Sequence, residues 1–325
     1  MGSTCRLGIV SDIHYAGAAE QARGDRYEST AIPQPLLRLL VSWYRRFVWL
    51  HQPLRKNYLL DRFIQRTGQP DYVIANGDYS CDSSFVGVSD DAACQSAREC
   101  LGKLRAQFGE RLRVNFGDHE LGKVSFFGGR GGMRIASWRV AQETLGLQPL
   151  WQLRIGRYVL VGVVSSLVAL PVFEPDTLPE ERSEWRRYRA EHMAGIRELF
   201  ESLKPEERVL LFCHDPTALP FLWEERAVQG KLPQVEQTVI GHLHSNLILW
   251  KSRWLAGMPR LNFLGHTARR LSTALGRARH WKPFHVRLCP SLAGIELLKD
   301  GGFLTAELDL TSQRPARFQL HRLPR

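Results

Sequence analysis

The sequence predicts an α/β fold in which two β-sheets pack face to face with helices outside. Three observations carry that expectation. Short, continuous apolar runs recur along the chain, and most end in Gly, Asp or His. Helical stripes separate several of them. No linker, internal repeat or low-complexity stretch divides the 325 residues. Continuous apolar runs mark strands buried on both faces. Strand–helix–strand alternation marks parallel βαβ units, whose ligands gather at the carboxyl ends of the strands.

The elements follow in order. Arg6–Val10 reads as a strand ending at Ser11-Asp12, Asp71–Ala75 as one ending at Gly77-Asp78, and Arg111–Phe116 as one ending at Gly117-Asp118. Between the last two, Ala93, Ala97, Leu101, Leu104 and Phe108 recur at helical spacing. Trp151–Ile155 and Tyr158–Ser165 read as a hairpin about Gly156-Arg157. A charged helix spans roughly Glu180 to Leu203, with Trp185, Ile196, Leu199 and Phe200 on its inner face. Val209–Phe212 leads into Cys213-His214, and Thr238–Ile240 into Gly241-His242. Short strands near His285–Cys289, Gly302–Leu310 and Arg317–Leu323 close the chain.

Composition narrows the class. Hydrophobic residues make up 44% of the chain, enough for a large single core. No apolar run approaches the roughly 20 residues needed to span a bilayer, and the first strand starts near Arg6 with no signal peptide before it. A cytoplasmic protein is expected, with the inner membrane face as a peripheral location. The six cysteines are scattered without a CxxC pair and read as reduced thiols; Cys94 and Cys100 share one helix and pack rather than bond. The formal charge is +11. No acid occurs from Gln237 to Ile295 or from Ser29 to Leu60, whereas both stretches are rich in Arg and Lys. Such zones imply an anionic partner: nucleic acid, a membrane surface or a phosphorylated ligand.

Five motifs carry the chemistry: Asp12-Ile13-His14, Gly77-Asp78, Gly117-Asp118-His119-Glu120, Cys213-His214 and Gly241-His242-Leu243-His244. Residues two apart on an extended strand end share a face, so Asp12 and His14 can reach one ion, as can His242 and His244. Carboxylate and imidazole without thiolate suit manganese, iron or zinc better than a structural zinc site. Each motif alone is weak; five at strand ends point to a two-metal site.

The set resembles the calcineurin-like metallophosphoesterase superfamily, whose pattern is DxH, GD, GNH[DE], His and GHxH. The resemblance runs from Leu7 to His244 and continues into Cys289-Pro290-Ser291. It implies a four-layer α/β/β/α sandwich of two mixed sheets. It also implies a phosphoric ester or anhydride hydrolase using two divalent ions, manganese foremost, with iron, zinc or magnesium as alternatives. These would acidify a shared water that attacks phosphorus. By motif, Asp12, His14, Asp78 and His244 would hold one metal. Asp78, Asp118, His214 and His242 would hold the other, with Asp78 bridging. His119 would be the catalytic histidine near the leaving oxygen, and Glu120 would orient it. This chain has Asp118 where the family has Asn. An ionised Asp118 cancels the site's positive excess, which should tighten metal binding; the alternative is a tolerated exchange of like geometry.

The domain is expected to span residues 1–325, with inserted segments at about 30–60 and 250–284. In the first, Leu36, Leu40, Trp43, Phe47, Leu50 and Leu54 recur at helical spacing, with Pro33 or Pro35 as a start and Pro53 as an end or kink. A basic amphipathic helix of this kind resembles an interfacial membrane segment; a cap packed on the body is the alternative. Thr267–Trp281 is a second candidate, with a solvated basic face as its alternative. Gly128-Gly129-Arg130-Gly131-Gly132 could wrap a phosphate, or be an ordinary loop. Arg130, Lys123, Arg45 and Arg46 are the candidate substrate contacts. Segments that are both apolar and basic suit an amphiphilic, lipid-linked phosphate. By analogy within the superfamily, such a substrate resembles that of the enzymes that cleave UDP-2,3-diacylglucosamine in lipid A synthesis. A soluble phosphodiesterase, nuclease or phosphatase is the alternative, although no aromatic stacking platform for nucleic acid stands out. A non-catalytic, protein-binding scaffold is a third reading; it conflicts with the retention of every ligand and of His119.

Overall fold

The carboxyl ends of the parallel strands converge on one side of the molecule, and the rest of the fold holds them there. A computed structural model describes residues 4–27, 29, 32, 34–125, 129–254, 276–311 and 314–323. The strands are β1 (Thr4–Val10), β2 (Tyr72–Ala75), β3 (Leu112–Val114), β4 (Leu150–Ile155), β5 (Tyr158–Val163), β6 (Arg208–Cys213), β7 (Val235–Ile240), β8 (Val286–Leu288), β9 (Gly302–Asp309) and β10 (Arg317–Arg322). They form two five-stranded sheets, ordered β10-β9-β1-β2-β3 and β4-β5-β6-β7-β8. β1 to β3 are parallel, and β9 and β10 extend that sheet antiparallel. β5 to β8 are parallel, and β4 pairs antiparallel with β5. Both sheets are therefore mixed, as expected.

The helices are α1 (Ala18–Arg23), α2 (Pro35–Tyr44), α3 (Tyr58–Thr67), α4 (Asp91–Phe108), α5 (Asp118–Leu121), α6 (Ile135–Glu143), α7 (Ser165–Val168), α8 (Leu170–Phe173), α9 (Arg182–Glu201), α10 (Leu219–Glu224), α11 (Arg226–Lys231) and α12 (Asn246–Trp254). Alternation along the strands builds the layers. Leu7, Ile9 and Ile74 of one sheet pack with Tyr158, Leu160, Leu210 and Phe212 of the other, forming a core between the sheets. Their neighbours Val10, Val73, Val159, Val161, Val209 and Leu211 belong to a second core shared with α4, α6 and α9. Successive side chains on a strand point to opposite faces, so a fully apolar strand needs cover on both. The result is the expected α/β/β/α sandwich.

One element departs from expectation. The helical stripe from Leu36 to Leu54 is not one helix. α2 ends at Tyr44, Arg45–Trp49 form a π-helical turn, and Leu50 is extended at φ −155 and ψ 108. Pro53 then starts a 3-10 turn in which Leu54 is buried. The chain breaks because it is held from outside: Glu296 N–H donates to Trp49 O at 2.7 Å, and His51 N–H donates to Glu296 Oε2 at 3.2 Å. Of the second basic segment, Arg269, Arg270 and their neighbours lie outside the described residues, as does Pro33. Among the described residues no helix is long and apolar enough to cross a membrane.

His192 on α9 is buried, and its Nε2 accepts the Val164 N–H at 3.1 Å, so the ring must be neutral on that nitrogen. Burial lowers its pKa to about 3. The unfolded chain binds this proton below pH 6.5 and the folded chain does not, so stability is lost as pH falls from about 6.5 towards 3. Denaturant titrations at pH 7 and pH 5 are expected to show wild type losing about 2 kcal/mol more than His192→Gln across that interval. Parallel losses in the two proteins would contradict the assignment.

Candidate metal centre

Five candidate ligands lie in backbone that L-residues seldom adopt. Asp12 and His14 have φ 50, Asp78 φ 61, His242 φ 56 and His244 φ 59. Each follows the last residue of β1, β2 or β7, so the chain turns sharply as it leaves the sheet and aims the side chain inward. The approach is too close for side chains at the adjoining glycines. A Cβ on Gly77, at φ +94, would lie 2.9 Å from His214 Nδ1, and one on Gly241 would collide with Ser11 and Asp12.

The two sheets meet through these residues. His214, from β6, donates Nδ1–H to Asn76 O beyond β2 at 2.6 Å. His242 N–H, beyond β7, donates to Asp12 Oδ1 and Oδ2 at 3.0 and 3.1 Å. Asn115 Nδ2 donates to Asn76 Oδ1 and Phe212 O, both at 3.1 Å. The structure brings all seven expected ligands into one buried space. Asp12, His14 and His244 form one group; Asp118, His214 and His242 form another. Asp78 lies with both, in groups with His14 and His119 and with Asp12 and His214.

The donor atoms fit cations. His214 is fully buried, and its Nε2 lies 3.2 Å from both Asp78 Oδ2 and Asp118 Oδ1, yet makes no well-formed hydrogen bond to either. An orphaned nitrogen between two carboxylates is what a divalent ion would satisfy. His14 Nε2 faces His244 Nε2 at 3.3 Å, and His244 Nε2 lies 3.3 Å from Asp12 Oδ1. His14 Nδ1 and His119 Nδ1 both point to Ser80 O, at 3.4 and 3.0 Å, which turns both Nε2 atoms towards the centre. Cys213 adjoins His214, but its Sγ points to Asp215 O at 3.4 Å, so the donors are oxygen and nitrogen alone.

The buried carboxylates shift the ionisation of the imidazoles around them. Burial opposes charge on His214, but Asp78, Asp12 and Asp118 override it and hold its pKa well above the usual range. Burial likewise opposes charge on His242, while Asp118 and Asp215 raise its pKa to about 9. Burial raises Asp12 to about 7. His119 differs: burial, with Lys123 and His14 nearby, lowers it to about 3.

Not every candidate performs as expected. Glu120 adjoins His119 in sequence but holds the ligand loops rather than the ring. Its carboxylate accepts N–H from Asp78 at 3.0 Å, Tyr79 at 2.8 Å and Gly117 at 2.7 Å. His119 is oriented by Ser80 O and by Lys123, whose Nζ donates to His119 Nε2 at 2.9 Å. In the glycine loop, the N–H groups of Arg130 and Gly132 are committed within the chain. Gly132 N–H goes to Phe85 O and Lys123 O, both at 3.0 Å, and Arg130 N–H to Ser125 Oγ at 3.1 Å; Gly128 lies outside the described residues. Arg130 itself is exposed. Arg45 lies over Tyr27 and Arg46 over Phe47. The carbonyls of Asn76 and Ser80 gave no signal in sequence, because main-chain acceptors leave no residue-type signature. Trp49, whose ring centroid is 5.3 Å from that of His244, lies off the apolar stripe read from the sequence, and nothing in its local spacing marks it.

Buried carboxylates and imidazoles at the seam of two mixed sheets define a class, the dinuclear metal-dependent hydrolases of phosphoesters. The sequence matches the family model described as calcineurin-like phosphoesterase over residues 5–246. The chain belongs to that family. No curated protein matches it. Among solved structures, a dimetal phosphatase from Danio rerio is similar with a TM-score of 0.49 and 11% identity, covering 97% of this chain and 95% of the other.

Asp118 Oδ1 lies 2.9 Å from His242 Nδ1, so its negative charge is spent at one cation position. Asp118→Asn is expected to keep activity and to weaken metal binding on the order of tenfold, about 1.4 kcal/mol. Calorimetric titration of stripped protein measures this; tighter binding by the variant would contradict it.

Proposed function

We propose that the chain hydrolyses a phosphoester or pyrophosphate bond in an amphiphilic substrate presented at an anionic membrane surface. The observation that carries this reading is the apolar surface beside His244. α2 buries none of its residues, and Leu36, Leu40, Trp43 and Phe47 are 69%, 56%, 58% and 51% exposed. The π-helical turn that follows ends at Trp49, whose ring centroid lies 5.3 Å from that of His244 at a tilt of 31°. α12 begins two residues after His244 and exposes Leu247 and Trp250. Leu297, whose N–H donates to Val48 O at 3.2 Å, is exposed as well. Contiguous exposed apolar groups of this size mark an interaction surface. Arg38 and Arg46 on the same segment add the charge that favours anionic lipid headgroups.

Asp12, His14, Asp78 and His244 would hold one divalent ion, and Asp78, Asp118, His214 and His242 the other. Oxygen and nitrogen donors without thiolate suit manganese first, then iron, zinc or magnesium. When bound, the ions activate water for attack on phosphorus and offset phosphate charge. The protein's own groups do the rest. Asn76 O fixes the His214 ring and Ser80 O those of His14 and His119, so each presents Nε2 inward. Glu120 ties the Asp78 loop to Gly117, which sets the spacing between the two groups of ligands. His119, whose Nε2 accepts an N–H from Lys123, would stand on the leaving-group side.

Two experiments test this. His119→Ala is expected to bind both metals and lose at least about a hundredfold in turnover of an aryl phosphodiester. Undiminished turnover would remove His119 from the reaction. In flotation with vesicles containing phosphatidylglycerol, Trp43→Ser/Phe47→Ser is expected to stay in the soluble fraction while wild type floats. Equal flotation would show that α2 does not dock on the membrane.

A further inference from the structure

One candidate ligand is held differently from the others. His14 Nδ1 points to Ser80 O at 3.4 Å, His214 Nδ1 to Asn76 O at 2.6 Å, and His242 Nδ1 to Asp118 Oδ1 at 2.9 Å. A hydrogen bond on a ring nitrogen sets the tautomer and the angle of an imidazole that binds a metal. His244 is the exception. Its Nε2 lies 3.3 Å from both His14 Nε2 and Asp12 Oδ1, and among the described residues no hydrogen bond reaches its Nδ1. A histidine ring turns freely about its outer side-chain torsion unless something stops it. Here the neighbour is the indole of Trp49, with ring centroids 5.3 Å apart and planes 31° from parallel. Aromatic rings attract at that separation. Trp49 is half-buried and packs against the main core.

The two rings stand on turns that are tied to each other. On the Trp49 side, Glu296 N–H donates to Trp49 O at 2.7 Å and Leu297 N–H to Val48 O at 3.2 Å. The Glu296 carboxylate accepts from His51 N–H and from Lys56 Nζ, both at 3.2 Å. On the His244 side, Ser291 N–H donates to His244 O at 3.4 Å, and Ser245 Oγ donates to Asp300 Oδ2 at 2.5 Å. Asp300 joins the two sides, because its Oδ1 accepts the Ile295 N–H at 2.9 Å. Glu296 is the first acid after the long basic stretch that contains His244.

We propose that Trp49 is a positioning residue for His244, and that Glu296 and Asp300 hold the two rings in one frame. The proposal deepens the two-ion reading put forward above, on which it rests. The indole takes the part that a carbonyl takes for His14 and His214: it stops the ring from turning, so that Nε2 stays aimed at the ion shared with Asp12 and His14. Trp49 also closes the segment that carries the exposed Leu36, Leu40 and Trp43. The apolar surface and one metal ligand therefore share an anchor.

The test titrates the full, stripped chain with manganese and follows both binding events by calorimetry. His244→Ala and His242→Ala mark which event belongs to which group of ligands. Trp49→Ala is expected to weaken the His244 event about tenfold and to leave the His242 event within about twofold. Trp49→Phe keeps a flat ring and should recover most of the loss. Glu296→Ala keeps the indole but frees the segment that carries it, and should weaken the same event; it carries the comparison alone where Trp49→Ala does not fold. The two changes together should cost little more than Trp49→Ala, because both act through one contact. Equal weakening of both events, or of neither, would overturn the inference and leave the two-ion reading standing. An unaltered chain that takes up no manganese, iron, zinc or magnesium would overturn the reading and the inference together.

Discussion

Three carboxylates, those of Asp12, Asp78 and Asp118, are buried within reach of one another, and the rest of the structure depends on supplying them with positive charge. Ionised groups removed from water are costly unless paired. Here the pairing falls to imidazoles, and those of His14, His119 and His214 have their other nitrogen on a main-chain carbonyl. That arrangement aims lone pairs and negative charge at the same small volume. Protons on His214 and His242 can balance the charge, but only on atoms that would equally well bind a divalent ion. Metal and proton therefore compete for the same sites, and metal binding must release protons.

The backbone bears the strain of this convergence. A left-handed conformation at a non-glycine residue costs on the order of 1–3 kcal/mol. Asp12, His14, Asp78, His242 and His244 all adopt it. It persists because the turns are held on several sides: Asp12 N–H by Gly77 O, His14 N–H by Asp78 O, and Gly241 N–H by His214 O. The carboxylate of Glu120 adds three more N–H donors of the Asp78 and Gly117 turns. The two sheets share an apolar core, but at their carboxyl ends they are joined by polar bonds through the candidate ligands. Coordination chemistry and the packing of the sandwich are thus one mechanical problem.

What was legible in the sequence follows from this. Strands buried on both faces read as continuous apolar runs, and ligands at their ends read as Asp and His after Gly, so both sheets and the convergence of seven side chains could be anticipated. Local pattern failed where distant partners decide. The stripe from Leu36 to Leu54 has helical spacing throughout, but Glu296, some 245 residues from His51, holds the chain open after Tyr44. Glu120 was read as a partner of its neighbour His119. Adjacent residues on a helical turn diverge by about 100°, and on α5 they point to different work. The glycines at 131 and 132 suggested a phosphate cradle; they are there because Lys123 O and Phe85 O leave no room for a Cβ at Gly131, and Asp176 O leaves none at Gly132.

The break after α2 has a consequence for function. Were the stripe one helix, its apolar face would be continuous with the body and would be an ordinary cap. Because the chain unwinds at Arg45–Leu50, Leu50 and Leu54 turn inward while Leu36, Leu40 and Trp43 stay in solvent. The same turn puts Trp49 on His244 and ties its carbonyl to the loop carrying Glu296. The exposed apolar surface is therefore attached to the metal centre at its edge. One irregular turn, stabilised by a carboxylate from the far end of the chain, sets an apolar surface beside the ring of His244.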